Sequence, residues 1–79
     1  MKAEYRLCLG SCTIHVYRGL QAEERQPAPQ KGRVTLRFED ECLIVTIEAS
    51  DLTGLRALSN SFLLLVHAAY RTLLEAGVC

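Results

Sequence analysis

The residues of this chain best suited to chemistry are its thiols and imidazoles: Cys8, Cys12, Cys42 and Cys79, with His15 and His67. A zinc site would need four ligands at close, paired spacings. Cys8 and Cys12 have no second close pair, and neither Cys42, Cys79, His15 nor His67 completes a known pattern. The sequence reading therefore takes the cysteines as reduced thiols that behave as small apolar residues. Intracellular disulfides occur in hyperthermophiles, so a bridge stays open as an alternative. His15 and His67 are far apart and join no nucleophile motif, whereas catalysis needs converging groups of tuned pKa. Gly10, Gly19, Gly32, Gly54 and Gly77 are scattered and form no phosphate-cradling loop. The chain also lacks the Gly-x-x-Gly clamp of a KH domain and the aromatic-rich strand of an RNP module. The expectation is a chain with no catalytic residue, no cofactor and no metal.

What remains is a small body that must interact. With 79 residues the chain is read as a single domain, 1–79. A domain this short hides a modest share of its surface and gains from association. Nearly half of it, 49%, is apolar, which supports a core and argues against disorder. Nine Lys and Arg balance nine Asp and Glu, so the basic surplus of a free-standing nucleic-acid binder is missing. No apolar run of signal-peptide length follows Met1 to Arg6, and the longest apolar run, Phe62 to Val66, is far short of a membrane span. The chain is thus expected to be soluble and cytoplasmic, with no membrane and no small-molecule substrate among its partners.

The elements follow from hydrophobic periodicity. Lys2 to Leu9 alternates, with Ala3, Tyr5, Leu7 and Leu9 on one side, as in a half-buried strand. Gly10-Ser11 breaks it, and Ser11 is placed to cap a helix. Cys12 to Glu24 carries mixed signals. Thr13, Ile14 and Val16 favour a strand, while Ile14, Tyr17 and Leu20 have helical spacing and Gln21 to Arg25 favour a helix. Propensity puts helix slightly ahead. Pro27 to Gly32 reads as a connector, with Gln26 and Ala28 extended by the prolines that follow them. Arg33 to Ala49 reads as a hairpin: Val34, Leu36 and Phe38, then a Glu39-Asp40-Glu41 turn, then Leu43, Val45 and Ile47. Asp51 should cap a final helix that runs to about Glu75 and ends at Gly77. The string β-α-β-β-α predicts an α+β fold, two helices on one face of a three-stranded antiparallel sheet.

The final helix divides into three stripes at 100° per residue. Leu55, Leu58, Phe62, Val66, Ala69 and Leu73 face the sheet, and Arg56, Asn60, His67 and Arg71 form a polar flank. The third stripe, Ala57, Ser61, Leu64, Ala68 and Thr72, is small and carries no charge, where a helix on a sheet normally turns a charged face to water. Either the first helix of the chain covers it or the helix of another protein does. The first helix is short and thinly apolar, so both answers can hold in different turns.

The same helix carries a family likeness. Asp51 to Leu63, an acidic cap followed by Leu55-Arg56-Ala57, Asn60-Ser61, Phe62 and Leu63, resembles the signature of the small Pcc subunit of the KEOPS complex, a family that includes the cancer/testis antigens. Val16 to Leu20 is similar to the middle of that family's first helix, and Leu43 to Ala49 to its strand before the last helix. The likeness favours helix for Cys12 to Glu24. One departure is Leu64, where the family often has a basic residue. The resemblance implies a non-enzymatic subunit that dimerises with itself or with a second small subunit by joining sheets. It implies helices that bundle with the catalytic threonylcarbamoyl-transferase subunit, and a complex, with a kinase-like ATPase, that modifies the adenosine beside the tRNA anticodon. In such a subunit the partner-binding residues would be Arg56, Ala57, Asn60, Ser61, Leu64, Ala68 and Arg71, with tRNA held through the complex.

Two readings stay beside it. Arg56 and Asn60, one turn apart, are either a helix-surface pair or a polar anchor within an interface, which suits the planar Arg fork. Arg18, Arg25, Lys31, Arg33 and Arg37 form a tRNA-facing patch or, with acidic residues interspersed, an ordinary solvated surface. The alternative function is an autonomous KH-like RNA-binding domain, suggested by the α/β layout and opposed by the neutral charge and the missing clamp.

Overall fold

A computed structural model describes residues 1–25 and 32–79, with only the backbone described for 22–25. The elements are β1 (Lys2–Leu7), a 3₁₀ turn (Gly10–Cys12), α1 (Thr13–Arg25), β2 (Gly32–Glu39), β3 (Cys42–Ala49) and α2 (Leu52–Ala76). The three strands form an antiparallel sheet in the order β1-β3-β2. This is the α+β fold that the periodicity predicts. The connector expected at Pro27 to Gly32 and the extended Gln26 and Ala28 lie outside the described residues, except Gly32, which opens β2.

The alternation of each strand sets its faces. Tyr5 and Leu7 on β1, Val34 and Leu36 on β2, and Leu43, Val45 and Ile47 on β3 meet the helices in one core. Val16 and Leu20 enter it from α1, Phe62 and Val66 from α2. The Tyr17 and Phe38 rings lie tilted with centroids 5.8 Å apart, which adds an aromatic contact between α1 and β2. Central β3 is buried on both sides. Ile44, on the side away from the helices, is only 3% exposed. Its cross-strand neighbours are Arg6 and Arg37, whose long stems are available to shield it. That open face is otherwise ionic: Arg37 reaches Glu4 at 3.1 Å and Glu39 at 3.4 Å, and Arg6 lies 3.7 Å from Asp40.

Local chemistry sets most of the boundaries. Asp51 is extended at the start of α2, and its Oδ1 accepts the Gly54 N–H at 2.7 Å. At the far end Gly77 takes a left-handed conformation (φ 71°), and its N–H bonds back to α2 carbonyls. At the first helix the hydroxyl that ties the turn belongs to Thr13, not to Ser11. Thr13 Oγ1 accepts the Leu9 N–H at 2.8 Å and donates to the Gly10 carbonyl at 2.9 Å. The 3₁₀ turn places Ser11 one step too early, with its side chain in solvent. Glu39 also departs from expectation: it pairs with Cys42 at the end of β2, so the turn is the two residues Asp40 and Glu41. Both have positive φ, 52° and 64°, in a hairpin position that favours Asn-Gly. Gly32 is required on other grounds, because a Cβ there would collide with the Glu48 carbonyl and the Leu58 side chain of α2.

Two stability outcomes follow. Asp51→Ala removes the cap and should cost about 1 kcal/mol, lowering the thermal midpoint by about 4–8 °C. Glu41→Gly relieves the left-handed strain and should raise stability by about 0.5–1 kcal/mol in a urea titration, part of the relief being offset by added freedom of the unfolded chain. A Glu41→Gly protein no more stable than its parent would show that the turn carries no such strain.

Candidate interaction site on the second helix

The 25-residue α2 places the candidate residues in three directions. Leu55, Leu58, Phe62, Val66, Ala69 and Leu73 lie in or against the core, as the wheel predicts. Arg56, Asn60, His67 and Arg71 are exposed along the flank. Arg71 pairs with Glu75 one turn on, at 3.4 Å. Among the described residues Arg56 and Asn60 make no side-chain hydrogen bond or ion pair, so both polar groups stay available.

Of the two covers the sequence leaves open, the chain's own first helix approaches the third stripe at Ala68 and Thr72. Ala57, Ser61, Leu64, Ala68 and Thr72 are all exposed. Ala57, Ser61 and Leu64 do not line the groove that α1 forms with α2. Near the end of α2 the first helix comes alongside, and His15, Gly19 and Leu20 form an open, mostly apolar groove with Leu65, Ala68, Ala69, Thr72 and Leu73. Thr72 turns its hydroxyl inward to the Ala68 carbonyl at 2.9 Å, which leaves its methyl for contact. Leu64 is 69% exposed, and Leu65 and Leu74 are 39% and 47% exposed. Of the residues in α2 only Arg56, Arg71 and Glu75 carry a formal charge. The site is therefore an apolar ridge running from Ala57 past Leu64 into a groove, with polar groups along one flank. Nothing in it resembles a reaction centre.

The proposed basic patch does not assemble among the described residues. Arg33 and Arg37 lie on the open face of the sheet, and Arg18 belongs to the helical layer on the opposite face. Arg37 is already held between Glu4 and Glu39. Lys31 and the Arg25 side chain lie outside the described residues.

Two features escaped the sequence reading. Ser59 is only 5% exposed, and its Oγ has no partner among the described residues. At 40° from Leu55 it sits within the sheet-facing stripe, a position the helical wheel could have assigned. The cysteines are the larger correction. They are not reduced thiols: Cys8 bonds to Cys42 and Cys12 to Cys79. The cause is the fold. The β1–β3 register sets Cys8 directly beyond the Leu7–Leu43 pair and opposite Cys42, with Cα atoms 4.4 Å apart. The left-handed Gly77 turns the chain back so that Cys79 meets Cys12, with Cα atoms 5.1 Å apart. Both separations suit a disulfide. Among the described residues no group of three or more His, Cys, Asp or Glu gathers as a metal site would require, and no helix is long and apolar enough to cross a membrane.

Comparison with known proteins agrees with the likeness carried by Asp51 to Leu63. No curated protein matches the chain. The sequence model of one family, described as transcription factor Pcc1, matches residues 14–74, which span most of α1, the hairpin and nearly all of α2. With that much of its length matched, the chain belongs to the Pcc1 family, whose members are subunits of the KEOPS complex.

Proposed function

We propose that this chain is a non-catalytic, dimerising scaffold subunit of a KEOPS complex, supporting threonylcarbamoyl transfer to a tRNA adenosine. The observation that carries this reading is the bare outer side of α2. Exposed Leu64 and Leu65, flanked by Ala57, Ser61 and Ala68, make a strip on which a second helix can lie close. The occupant is a helix of the catalytic transferase subunit. Arg56, Asn60 and Arg71 then stand at the margin of that contact, where they add direction rather than driving force. Leu64, in place of the family's frequent basic residue, gives this contact apolar area in that turn instead of a charge.

Dimerisation uses a different part of the molecule. β1 and β2 are the two edges of the sheet, and the outward N–H and C=O groups of an edge strand are a template for another strand. A second copy, or a second small subunit, extends the sheet at one of them. The balanced ionic face of the sheet lends no strength to autonomous RNA binding, so tRNA is held by the assembly. The subunit works in the cytoplasm, where the transfer reaction and its tRNA are found.

Light scattering at micromolar concentration should return the mass of a dimer. Titration calorimetry with the cognate transferase subunit should show binding that Ala68→Glu weakens at least about tenfold, because the interface would bury an unpaired charge. The variant should keep its dimer mass and its circular dichroism. Monomer alone together with no transferase binding would remove this reading, and unchanged affinity in Ala68→Glu would move the contact off α2.

A further inference from the structure

The Cys12–Cys79 bond stands at one end of the groove between the helices. Cys12 closes the turn that leads into α1 and is 2% exposed. Cys79 follows the Gly77 cap, where the Val78 N–H bonds to the Leu73 carbonyl and steers the chain toward α1. The bond therefore joins the start of α1 to the segment just past α2, across a sequence separation of 67. Those are the two helix ends that frame His15, Gly19, Ala68 and Thr72.

The two disulfides differ in what they hold. Cys8–Cys42 spans β1 and β3, which a continuous ladder from Lys2–Glu48 to Leu7–Leu43 already joins. Opening it leaves the strands paired. α1 and α2 touch through side chains, and the segment past α2 is otherwise held by the helix-cap bonds. Opening Cys12–Cys79 removes the covalent tie between the helices.

From this asymmetry, and resting on the scaffold reading above, we propose that Cys12–Cys79 is a thiol–disulfide clasp. Closed, it fixes the spacing of α1 and α2 and preorganises the groove for its partner helix. Open, it lets the last turns of α2 fray and weakens binding. Closing joins the two sulfurs, and the two hydrogens of the thiols pass to a low-molecular-weight disulfide, which splits into two thiols. Opening begins with a thiolate attacking the sulfur of Cys79, the less buried residue of the pair, and Cys12 leaves as thiolate. A second thiol of the reductant then displaces Cys79 and departs as a disulfide.

The test compares the full chain oxidised by glutathione disulfide with the chain reduced by dithiothreitol, alongside Cys79→Ser and the double variant Cys8→Ser, Cys42→Ser. Peptide mapping should recover a Cys12–Cys79 linkage. In the parent and in the double variant, reduction should speed amide exchange of residues 70–76 at least about tenfold and weaken transferase binding by a similar factor. Cys79→Ser should match the reduced parent under both conditions. Exchange at 70–76 that ignores the redox state overturns the clasp, whatever the transferase does. Redox-dependent exchange without transferase binding in either state supports the clasp as a control of α2 order and overturns the scaffold reading. Redox-dependent exchange with equal affinity in both states overturns the coupling of the clasp to the groove.

Discussion

A helix of this composition cannot be satisfied by a single sheet. α2 runs for 25 residues with three formal charges, and only one of its sides meets the core. Water on the other sides meets Leu64, Leu65 and Leu74. Fully burying an exposed leucine returns about 1.5–3 kcal/mol, so the partly exposed Leu64 and Leu65, neighbours on one side of α2, together favour association by a fraction of that sum. The body of the domain is too small to supply the cover. Its other helix, α1, is about half the length of α2 and, among the described residues, lines the groove only along the later turns. Under the proposed scaffold role another chain closes the rest of the surface.

The remaining architecture holds α2 in place. β3, buried on both faces, anchors the sheet, and Phe62 and Val66 dock the helix onto it. Asp51 and Gly77 fix where the helix starts and stops. The ionic face opposite, with Arg37 between Glu4 and Glu39, keeps that side soluble and leaves α2 as the apolar surface. Under the proposed scaffold role the layers divide the labour: the sheet edges would take a second small subunit, and the helical layer a larger partner. In the chain-entropy picture the Cys12–Cys79 loop adds about 4 kcal/mol by restricting the unfolded chain, a large sum for a domain that hides so little surface.

Much of this was legible in the residues. Alternation in Val34 to Phe38 and Leu43 to Ile47 announces the hairpin, because a two-residue period survives any tertiary context that buries one face. The three stripes of α2 were readable for the same reason, as a long helix has a fixed wheel. α1 was less so. Thr13 and Val16 are poor helix formers by propensity, yet Val16 is fully buried, and the core decides its state where local preference does not. The cysteine pairs were invisible. Their partners lie 34 and 67 residues apart, and only the β1–β3 register and the turn at Gly77 bring them together. Ser11 and Glu39 were misassigned by one step each, since caps and turns depend on backbone angles that residue types constrain weakly. The candidate interface was legible as a stripe but not as a groove, which needs the separation of two helices.

Hydroxyl-radical footprinting of Leu64, Leu65 and Leu74, in the free chain and in the assembled complex, measures the cover directly. The account predicts strong labelling of all three leucines in the free chain. In the complex Leu64 and Leu65 become protected, while residues on the open face of the sheet, such as Arg33, keep their reactivity. Equal labelling of the leucines in both states would contradict it, because the apolar side of α2 would then stay in water even when every partner is bound.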